Sequence, residues 1–178
     1  MDQEMLGLLR LRIRKGKNLI VRDFGSGSSD PYIIVTLGTQ KLKTKTVKNN
    51  CNPEWNEELT LSIKNPDLPI LLTVYDKDTL STDDKMGEVK INLKPYVDAL
   101  RIGAKNLPNG CCIKIVQPTE HNHLAEESRI TWHEGKLLQD MVLKLQHVES
   151  GELDVQIEWI DVPGCKGLLS HDGEFNFI

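Results

Sequence analysis

Apolar and polar residues alternate in short runs along most of the chain. In LLRLRIRKGKNL, Leu9, Leu11 and Ile13 alternate with arginines, which is the period of two expected of a half-buried strand with a basic outer face. Seven further segments have strand patterns: DPYIIVTLG, QKLKTKTV, ELTLSI, PILLTVYD, MGEVKINL, QDMVLKLQ and GELDVQIEWI. The sequence therefore predicts eight short strands separated by turns.

Helical patterning is nearly absent. KPYVDALRI places a proline in its first turn, where a missing N–H is tolerated, and predicts one short helix. Between Leu100 and Gly135 the periodicity weakens, which predicts an insertion between strands six and seven, with RITWHEGKL as a candidate small hairpin. These patterns predict an all-β fold, an eight-stranded antiparallel β-sandwich whose loops at one end carry binding groups.

Length and composition fit a single globular domain. We assign residues 1–168 of the 178 to this domain and residues 169–178 to a C-terminal tail. No apolar run approaches the roughly 20 residues of a membrane span. The opening MDQEM lacks the layout of a secretory signal and the second-position glycine needed for myristoylation, so we expect a cytosolic or nuclear protein.

Charge is distributed unevenly along the chain. Residues 1–48 hold ten Lys or Arg against four acids, an excess of +6, although the whole chain carries −4. A basic first quarter suggests an anionic partner. The four cysteines have no CxxC spacing and suit neither a zinc site nor a disulfide framework. No Ser-His-Asp or Cys-His constellation stands out, which predicts a protein that is not an enzyme.

Acidic residues crowd two loops that follow predicted strands. YDKDTLSTDDKMG holds Asp76, Asp78, Asp83 and Asp84, and VRDFGSGSSDPY holds Asp23 and Asp30. Such crowding is tolerated if the loop stays hydrated or if a cation binds among the carboxylates. Carboxylates from two loops, with backbone carbonyls and water, supply the six to eight oxygens that Ca²⁺ takes, and the absence of His and Cys disfavours zinc.

These segments together resemble the C2 domain family. The resemblance rests on GLLRLRIRKGKNL, SDPYIIVTLG, NPEWNEEL and YDKDTLSTDDKMG. It implies a calcium site, with Asp84 preferred to Asp83 because the family pattern has Asp three residues before Gly87. The side-chain ligands that it implies are Asp23, Asp30, Asp76, Asp78 and Asp84, and the carbonyl ligands are Arg22 and Lys77.

Further segments are similar to the plant C2-domain abscisic-acid-related family. These are LAEESRITWHEGKLLQDMVLKL and HVESGELDVQIEWIDVPG, and the family has its own insertion between strands six and seven. The resemblance implies calcium-dependent docking on anionic phospholipid at the plasma membrane, with further pools in the cytoplasm and nucleus. It also implies recruitment of abscisic-acid receptors of the PYR/PYL type, and no nucleic-acid partner.

An alternative function is activation of an Obg-like GTPase or ATPase, which the same resemblance implies for some members. An arginine supplied in trans would be the physical basis of that activity. Arg101 and Arg129, which flank or lie in the insertion, are the candidates.

Two further sets of residues are candidates for lipid binding. Lys41, Lys43 and Lys45 alternate in QKLKTKTV, so they project from one strand face, and they resemble the lysine-rich patch that binds phosphoinositides in other C2 domains. The alternative is a solvated strand face. Phe24 and Leu80 are apolar residues of the two acidic loops and are candidates for insertion between lipids.

Overall fold

The computed structural model describes residues 4–21, 29–103 and 105–168. Within these ranges the elements are β1 (Gly7–Lys17), β2 (Pro31–Leu37), β3 (Gln40–Lys43), β4 (Glu54–Ile63), β5 (Ile70–Asp76), β6 (Asp84–Ile91), α1 (Lys94–Ile102), β7 (Cys112–Val116), β8 (Ser128–His133), β9 (Lys136–Lys144) and β10 (Glu152–Ile160). The predicted all-β class is confirmed, and the predicted helix has the observed bounds. The predicted tail, residues 169–178, lies outside the described ranges.

The strands form two antiparallel sheets. One sheet has the order β4-β1-β10-β9-β8-β7 and the other the order β3-β2-β5-β6. All eight predicted strands are among them, and β7 and β8 raise the total in the described residues to ten. β8 and β9 form the hairpin predicted from RITWHEGKL, with Glu134 and Gly135 at its turn. The insertion therefore widens one sheet of the sandwich.

The core lies between the sheets and follows the predicted alternation. Leu9, Leu11 and Ile13 of β1 are at most 1% exposed, and their counterparts Ile33 and Val35 of β2 are fully buried. Burial of each such side chain contributes on the order of 1.5 to 3 kcal/mol. The sandwich is thus held by its inward-facing aliphatic residues.

The arginines on the outer face of β1 form ion pairs and are not a free basic surface. Arg12 lies 2.8 Å from Glu158 Oε2, and Arg14 lies 2.9 Å from Asp140 Oδ1. Arg10 also pairs with Glu158, at 3.4 Å. These three arginines contribute to the basic excess of the first quarter, but neighbouring strands neutralise them. An anionic partner of the kind that this excess suggests would therefore contact other Lys or Arg side chains.

Helix α1 is fastened to the six-stranded sheet by one tyrosine. Tyr96 is 1% exposed; its hydroxyl donates to the Leu137 carbonyl at 2.7 Å and accepts the Trp159 backbone N–H at 2.8 Å. Gly103 ends the helix in the left-handed conformation, with φ of 68°. No helix in the described part of the chain is long and apolar enough to cross a bilayer.

Candidate functional site

Three of the predicted calcium ligands lie where strands end or begin, at one end of the four-stranded sheet. Asp76 ends β5 and lies opposite Asp84, which begins β6. Asp30 immediately precedes β2, and its backbone N–H donates to Asp76 Oδ1 at 2.8 Å. Residues opposite each other on an antiparallel ladder point to the same face. The strand register therefore places Asp76 and Asp84 on one face, with Asp30 beside them.

The loop after β5 is tied to the start of β2 through backbone hydrogen bonds. The backbone N–H of Lys77 donates to the Asp30 carbonyl at 2.9 Å, and Asp30 Oδ1 accepts the Asn49 backbone N–H at 2.7 Å. Asp76 is only 7% exposed, so its carboxylate lies in the floor of this end of the sandwich. The acidic residues are therefore held on a rigid base.

Asp78 turns its carboxylate into its own loop. Its Oδ2 accepts the Ser81 hydroxyl at 2.5 Å, and its Oδ1 accepts the Leu80 backbone N–H at 3.0 Å. These two hydrogen bonds, that from Ser81 foremost, lower the pKa of Asp78 below its usual value. Groups of the same loop therefore favour the ionised form of this carboxyl.

Asp83 is hydrogen-bonded within its own loop and to β2. Its Oδ1 accepts the Asp78 backbone N–H at 2.8 Å, and its Oδ2 accepts the Tyr32 hydroxyl. The Asp78 bond and then the Tyr32 bond lower the pKa of Asp83. Asp83 thus braces the loop, whereas Asp84 lies opposite Asp76. The assignment of Asp84 rather than Asp83 as a calcium ligand stays a prediction.

The donor chemistry of this end suits a hard cation, but the described residues do not complete a metal site. Its described side-chain donors are carboxylate oxygens, which Ca²⁺ prefers. Among the residues that the structure describes, no three His, Cys, Asp or Glu side chains are grouped to hold a metal ion. Arg22, Asp23 and Phe24 lie outside the described residues.

Two of the three predicted lysines lie on β3 of the four-stranded sheet, and the third follows that strand. Lys41 and Lys43 are exposed residues of β3, and Lys45 is exposed just beyond it. Lys43 Nζ lies 4.3 Å from the centre of the Tyr32 ring, a cation–π contact. Lys41 and Lys43 therefore share one face of β3, whereas Lys45 lies beyond the strand that the alternation predicted to include it.

Sequence reasoning missed the aromatic pair that joins the lysines to the acidic loop. Tyr32 and Tyr75 lie opposite each other on β2 and β5, and their rings stack with centroids 5.6 Å apart. Tyr32 contacts Lys43 through its ring and Asp83 through its hydroxyl. Burial of the Tyr32 hydroxyl, and then its bond to Asp83, raise its pKa well above the usual value. The sequence signal for this aromatic pair was the tyrosine in DPY and the tyrosine in VYD, which lie on neighbouring strands.

Leu80 stands at the tip of the acidic loop with its side chain in solvent. It is 96% exposed, the highest value among the large apolar residues of the described ranges. An apolar side chain so exposed gains free energy wherever a partner or a bilayer covers it.

The two arginines proposed for NTPase activation are held within the chain. Arg101 lies in the last turn of α1, and its Nε donates to the Leu168 carbonyl at 3.4 Å. Arg129 of β8 forms an ion pair with Glu127 at 3.0 Å. Neither contact favours a role in trans.

The fold and its acidic loop end define the class of protein. The structure of a single C2 domain from plant extended synaptotagmin 1 superposes with a TM-score of 0.59 at 19% identity, over 89% of this chain and 97% of that one. A calcium-bound two-domain structure of extended synaptotagmin 2 gives 0.61 at 22% identity, over 90% of this chain and 48% of that one. This chain thus spans about half of that protein, and both similarities concern the fold alone. The sequence model of the C2 domain matches residues 7–109.

Relatives in Arabidopsis thaliana define the family. Protein C2-DOMAIN ABA-RELATED 4 is 55% identical over 93% of this chain and 92% of its own length. Protein C2-DOMAIN ABA-RELATED 10 is 51% identical over 96% of this chain and 94% of its own. The chain belongs to the C2-domain ABA-related family, where ABA denotes abscisic acid. The resemblance drawn from the sequence is thereby confirmed, and these relatives are named for a domain and a hormone rather than for a catalysed reaction.

Proposed function

We propose that this protein is a calcium-dependent adaptor that docks on anionic phospholipid at the cytosolic face of the plasma membrane and has no catalytic activity of its own. The observation that carries the proposal is the register of β5 and β6, which sets Asp76 opposite Asp84 with Asp30 hydrogen-bonded beside them. Oxygen donors from two loops at the end of a rigid sandwich suit Ca²⁺.

Electrostatics explain why calcium would switch binding on. The five aspartates taken as ligands would together place a charge of −5 at one end of the domain. An anionic membrane repels such an end, and each bound Ca²⁺ adds a charge of +2. The metal when bound would also offer lipid phosphates a coordination site. The protein itself supplies the carboxylates, and the loop after β5 holds that of Asp78 in place.

A second contact would come from the lysines. Lys43 contacts Tyr32, which donates a hydrogen bond to Asp83 of the acidic loop, and Lys41 and Lys45 are exposed two residues to either side of Lys43. Each cation contributes about 1 kcal/mol near an anionic surface. Leu80 adds on the order of 1.5 to 3 kcal/mol if its exposed side chain becomes fully buried in the acyl region. Calcium, lysine and leucine contacts would then act on the same side of the molecule.

Receptor recruitment is the signalling part of the proposal. The relatives are named for abscisic acid, and we propose that the protein brings PYR/PYL-type receptors to the membrane through the insertion. Flotation of a purified receptor with phosphatidylserine vesicles tests this step. We expect the receptor to float only when this protein and calcium are both present. Flotation of the receptor when one of the two is omitted would contradict recruitment.

The membrane step is tested by co-sedimentation with phosphatidylserine vesicles. We expect the wild type to pellet with vesicles in calcium and to stay in solution in chelator. The Asp76→Asn, Asp78→Asn variant should lose this dependence, because two ligands are neutralised. The control is Asp67→Lys, which changes the net charge by the same +2 in the loop before β5, at the opposite end of that strand from Asp76. Calcium-dependent pelleting of the double variant would refute the calcium site.

A further inference from the structure

Three of the four sheet edges are tied to other segments by hydrogen bonds. At β6, the backbone N–H of Gln146 donates to the Glu88 carbonyl at 2.8 Å. The edges of β3 and β4 are joined through Gln40, whose Nε2 donates to the Ser62 carbonyl at 2.7 Å and whose Oε1 accepts the Ser62 backbone N–H at 2.8 Å. The fourth edge is that of β7, which pairs with β8 alone in the described part of the chain.

The backbone of β7 has groups that β8 does not use. Alternate N–H and C=O groups of an edge strand point away from its sheet and can pair with a further strand. Besides the ladder with β8, the backbone of β7 has one further hydrogen bond among the described residues, from the Cys112 thiol to the Lys114 carbonyl at 3.5 Å, and it lies within the strand. Helix α1 lies close to β7, but no hydrogen bond between described residues joins the two. The outer edge of β7 can therefore accept a strand from another molecule.

The exposed side chains of β7 include one large apolar residue and one cation. Ile115 is 43% exposed and lies opposite Arg129 of β8. Lys114, the preceding residue, is exposed on the other face, opposite Ile130. Arg129 is paired with Glu127 at 3.0 Å, whereas no ion pair between described residues includes Lys114. The edge therefore combines backbone hydrogen-bonding groups with an apolar contact and a positive charge that is not neutralised.

The charge of Lys114 argues against a second copy of this chain as the occupant. Lys114 is the middle residue of the 5 in β7. The antiparallel register that pairs all of β7 with the same strand of a second copy sets the two Lys114 side chains opposite each other, and like charges in that position are destabilising. A central lysine is also a common device by which edge strands resist self-association. The same lysine attracts a partner of opposite charge.

We infer that the outer edge of β7 binds an extended segment of a partner protein in which acidic and apolar residues alternate. Alternate residues of a strand face opposite sides, so such a segment sets an acidic residue beside Lys114 and an apolar residue beside Ile115. Main-chain hydrogen bonds supply the affinity, and the two side chains supply the selectivity. Because β7 belongs to the insertion, the inference deepens the proposed receptor recruitment and rests on it for the identity of the partner.

Three synthetic peptides with blocked ends test the edge without a receptor or a membrane. The first is Thr-Val-Glu-Val-Glu-Val-Thr, the second has lysine in place of both glutamates, and the third has proline in place of the central valine. The full chain, labelled with ¹⁵N, is titrated in chelator and followed by NMR. We expect the acidic peptide to shift the amide signals of β7, to slow their hydrogen exchange and to bind about fivefold more tightly than the lysine peptide, because opposite charges across strands stabilise pairing. The proline peptide should not bind, since proline cannot complete the ladder.

Variants test the role of the lysine. Lys114→Glu should reverse the preference, so that the lysine peptide binds more tightly than the acidic one. The matched control is Lys64→Glu, which makes the same change of charge at an exposed lysine just after β4 and should keep the wild-type preference. The inference is overturned if millimolar acidic peptide leaves the β7 signals unshifted, if it shifts only those of β3, or if Lys114→Glu keeps the wild-type preference. Shifts of β7 that depend on protein concentration without peptide would identify a second copy as the occupant instead.

Receptor flotation connects this edge to recruitment. Lys114→Glu should reduce flotation of the receptor about fivefold, while this protein still pellets with phosphatidylserine vesicles in calcium. Undiminished receptor flotation with this variant would overturn the assignment of the edge to recruitment. Failure of the wild type to pellet would instead refute the proposed membrane function, and it would leave the peptide titration in chelator unaffected.

Discussion

Two adjacent aspartates illustrate how much depends on a single strand position. Asp83 and Asp84 are the same residue type at adjacent positions. Asp83 braces the loop by accepting hydrogen bonds from Tyr32 and the Asp78 amide, whereas Asp84 lies opposite Asp76. Asp84 is the first residue of β6, whereas Asp83 lies in the loop before that strand. Their side chains therefore serve different roles.

The first prediction compares these two residues. Asp84→Asn should weaken calcium binding by about tenfold or more, because it removes one negative ligand. Asp83→Asn should change calcium affinity by less than about threefold, while costing about 1 kcal/mol of unfolding free energy through its hydrogen bonds. Isothermal titration with Ca²⁺ and urea denaturation measure the two effects. The reverse order of calcium affinities would identify Asp83 as the ligand.

Glu158 is a buried carboxylate, and cationic side chains on the outer face of the six-stranded sheet pair with it. Its side chain is 2% exposed and lies 2.8 Å from Arg12 and 2.9 Å from Lys136. Burial opposes its ionisation, but the hydrogen bonds from Lys136 and Arg12, with their positive charges, prevail and hold its pKa below the ordinary 4.5. A carboxylate with a lowered pKa stabilises the fold above its unfolded pKa, and that contribution is lost as pH falls through the folded value.

The second prediction follows from this linkage. Glu158→Gln should lower the unfolding free energy by about 2 kcal/mol at pH 7, since it leaves partly buried cationic partners uncompensated. The difference from the wild type should shrink as pH falls below 4.5 and Glu158 becomes protonated. Urea denaturation across this range measures it. Glu58→Gln, at a half-exposed partner of the same arginines, should cost less than about 1 kcal/mol. A pH-independent difference for Glu158→Gln would contradict the linkage.

At the scale of elements, the helix and the insertion depend on contacts made far away in the chain. Helix α1 has 9 residues, too few to be stable alone, since isolated helices shorter than about 12 residues are marginal. Tyr96 joins it to β9 and β10 through both sides of one hydroxyl. The helix therefore exists because the sheet holds it.

The third prediction concerns that hydroxyl. Tyr96→Phe should destabilise the fold by about 1.5 to 3 kcal/mol, because the Leu137 carbonyl and the Trp159 N–H lose their shared partner. Tyr75→Phe keeps the ring that stacks on Tyr32 and should change stability by less than about 0.5 kcal/mol. Urea denaturation at neutral pH compares them. Equal stability of the two variants would mean that the hydroxyl contributes no net free energy.

At the scale of the whole molecule, the carboxylates of the acidic end repel one another, and the rest of the sandwich must offset this repulsion. Asp30, Asp76 and Asp84 are brought together only in the folded chain, so a cation bound among them favours folding over unfolding. Calcium binding at the proposed site would therefore add to the stability of the fold.

The fourth prediction is the size of that linkage. Calcium at about 100 times its dissociation constant should add about 2.7 kcal/mol to the unfolding free energy. For a domain of this length that corresponds to a rise in Tm of about 5 to 10 °C. Differential scanning calorimetry should show the rise in the wild type but not in Asp76→Asn, Asp78→Asn, and magnesium at equal concentration should produce less. A rise preserved in the double variant would place the calcium elsewhere.

The sequence by itself determined the sandwich, the helix bounds and the loops that carry the acids. Strand alternation is a local property, and inward residues such as Leu11 and Ile33 must be apolar wherever a core forms. β7 escaped prediction because an irregularity between Cys112 and Lys114 breaks its alternation, and it pairs with β8 alone.

Only the tertiary structure decided how charges and hydrogen bonds are shared between distant segments. The arginines of β1 look like a free basic face in the sequence, yet acidic residues more than 100 positions away neutralise them. The bond from Tyr32 to Asp83 and the open edge of β7 likewise depend on strand register and packing. Periodicity specifies which way a side chain faces, but its partner is set by the assembled sheets.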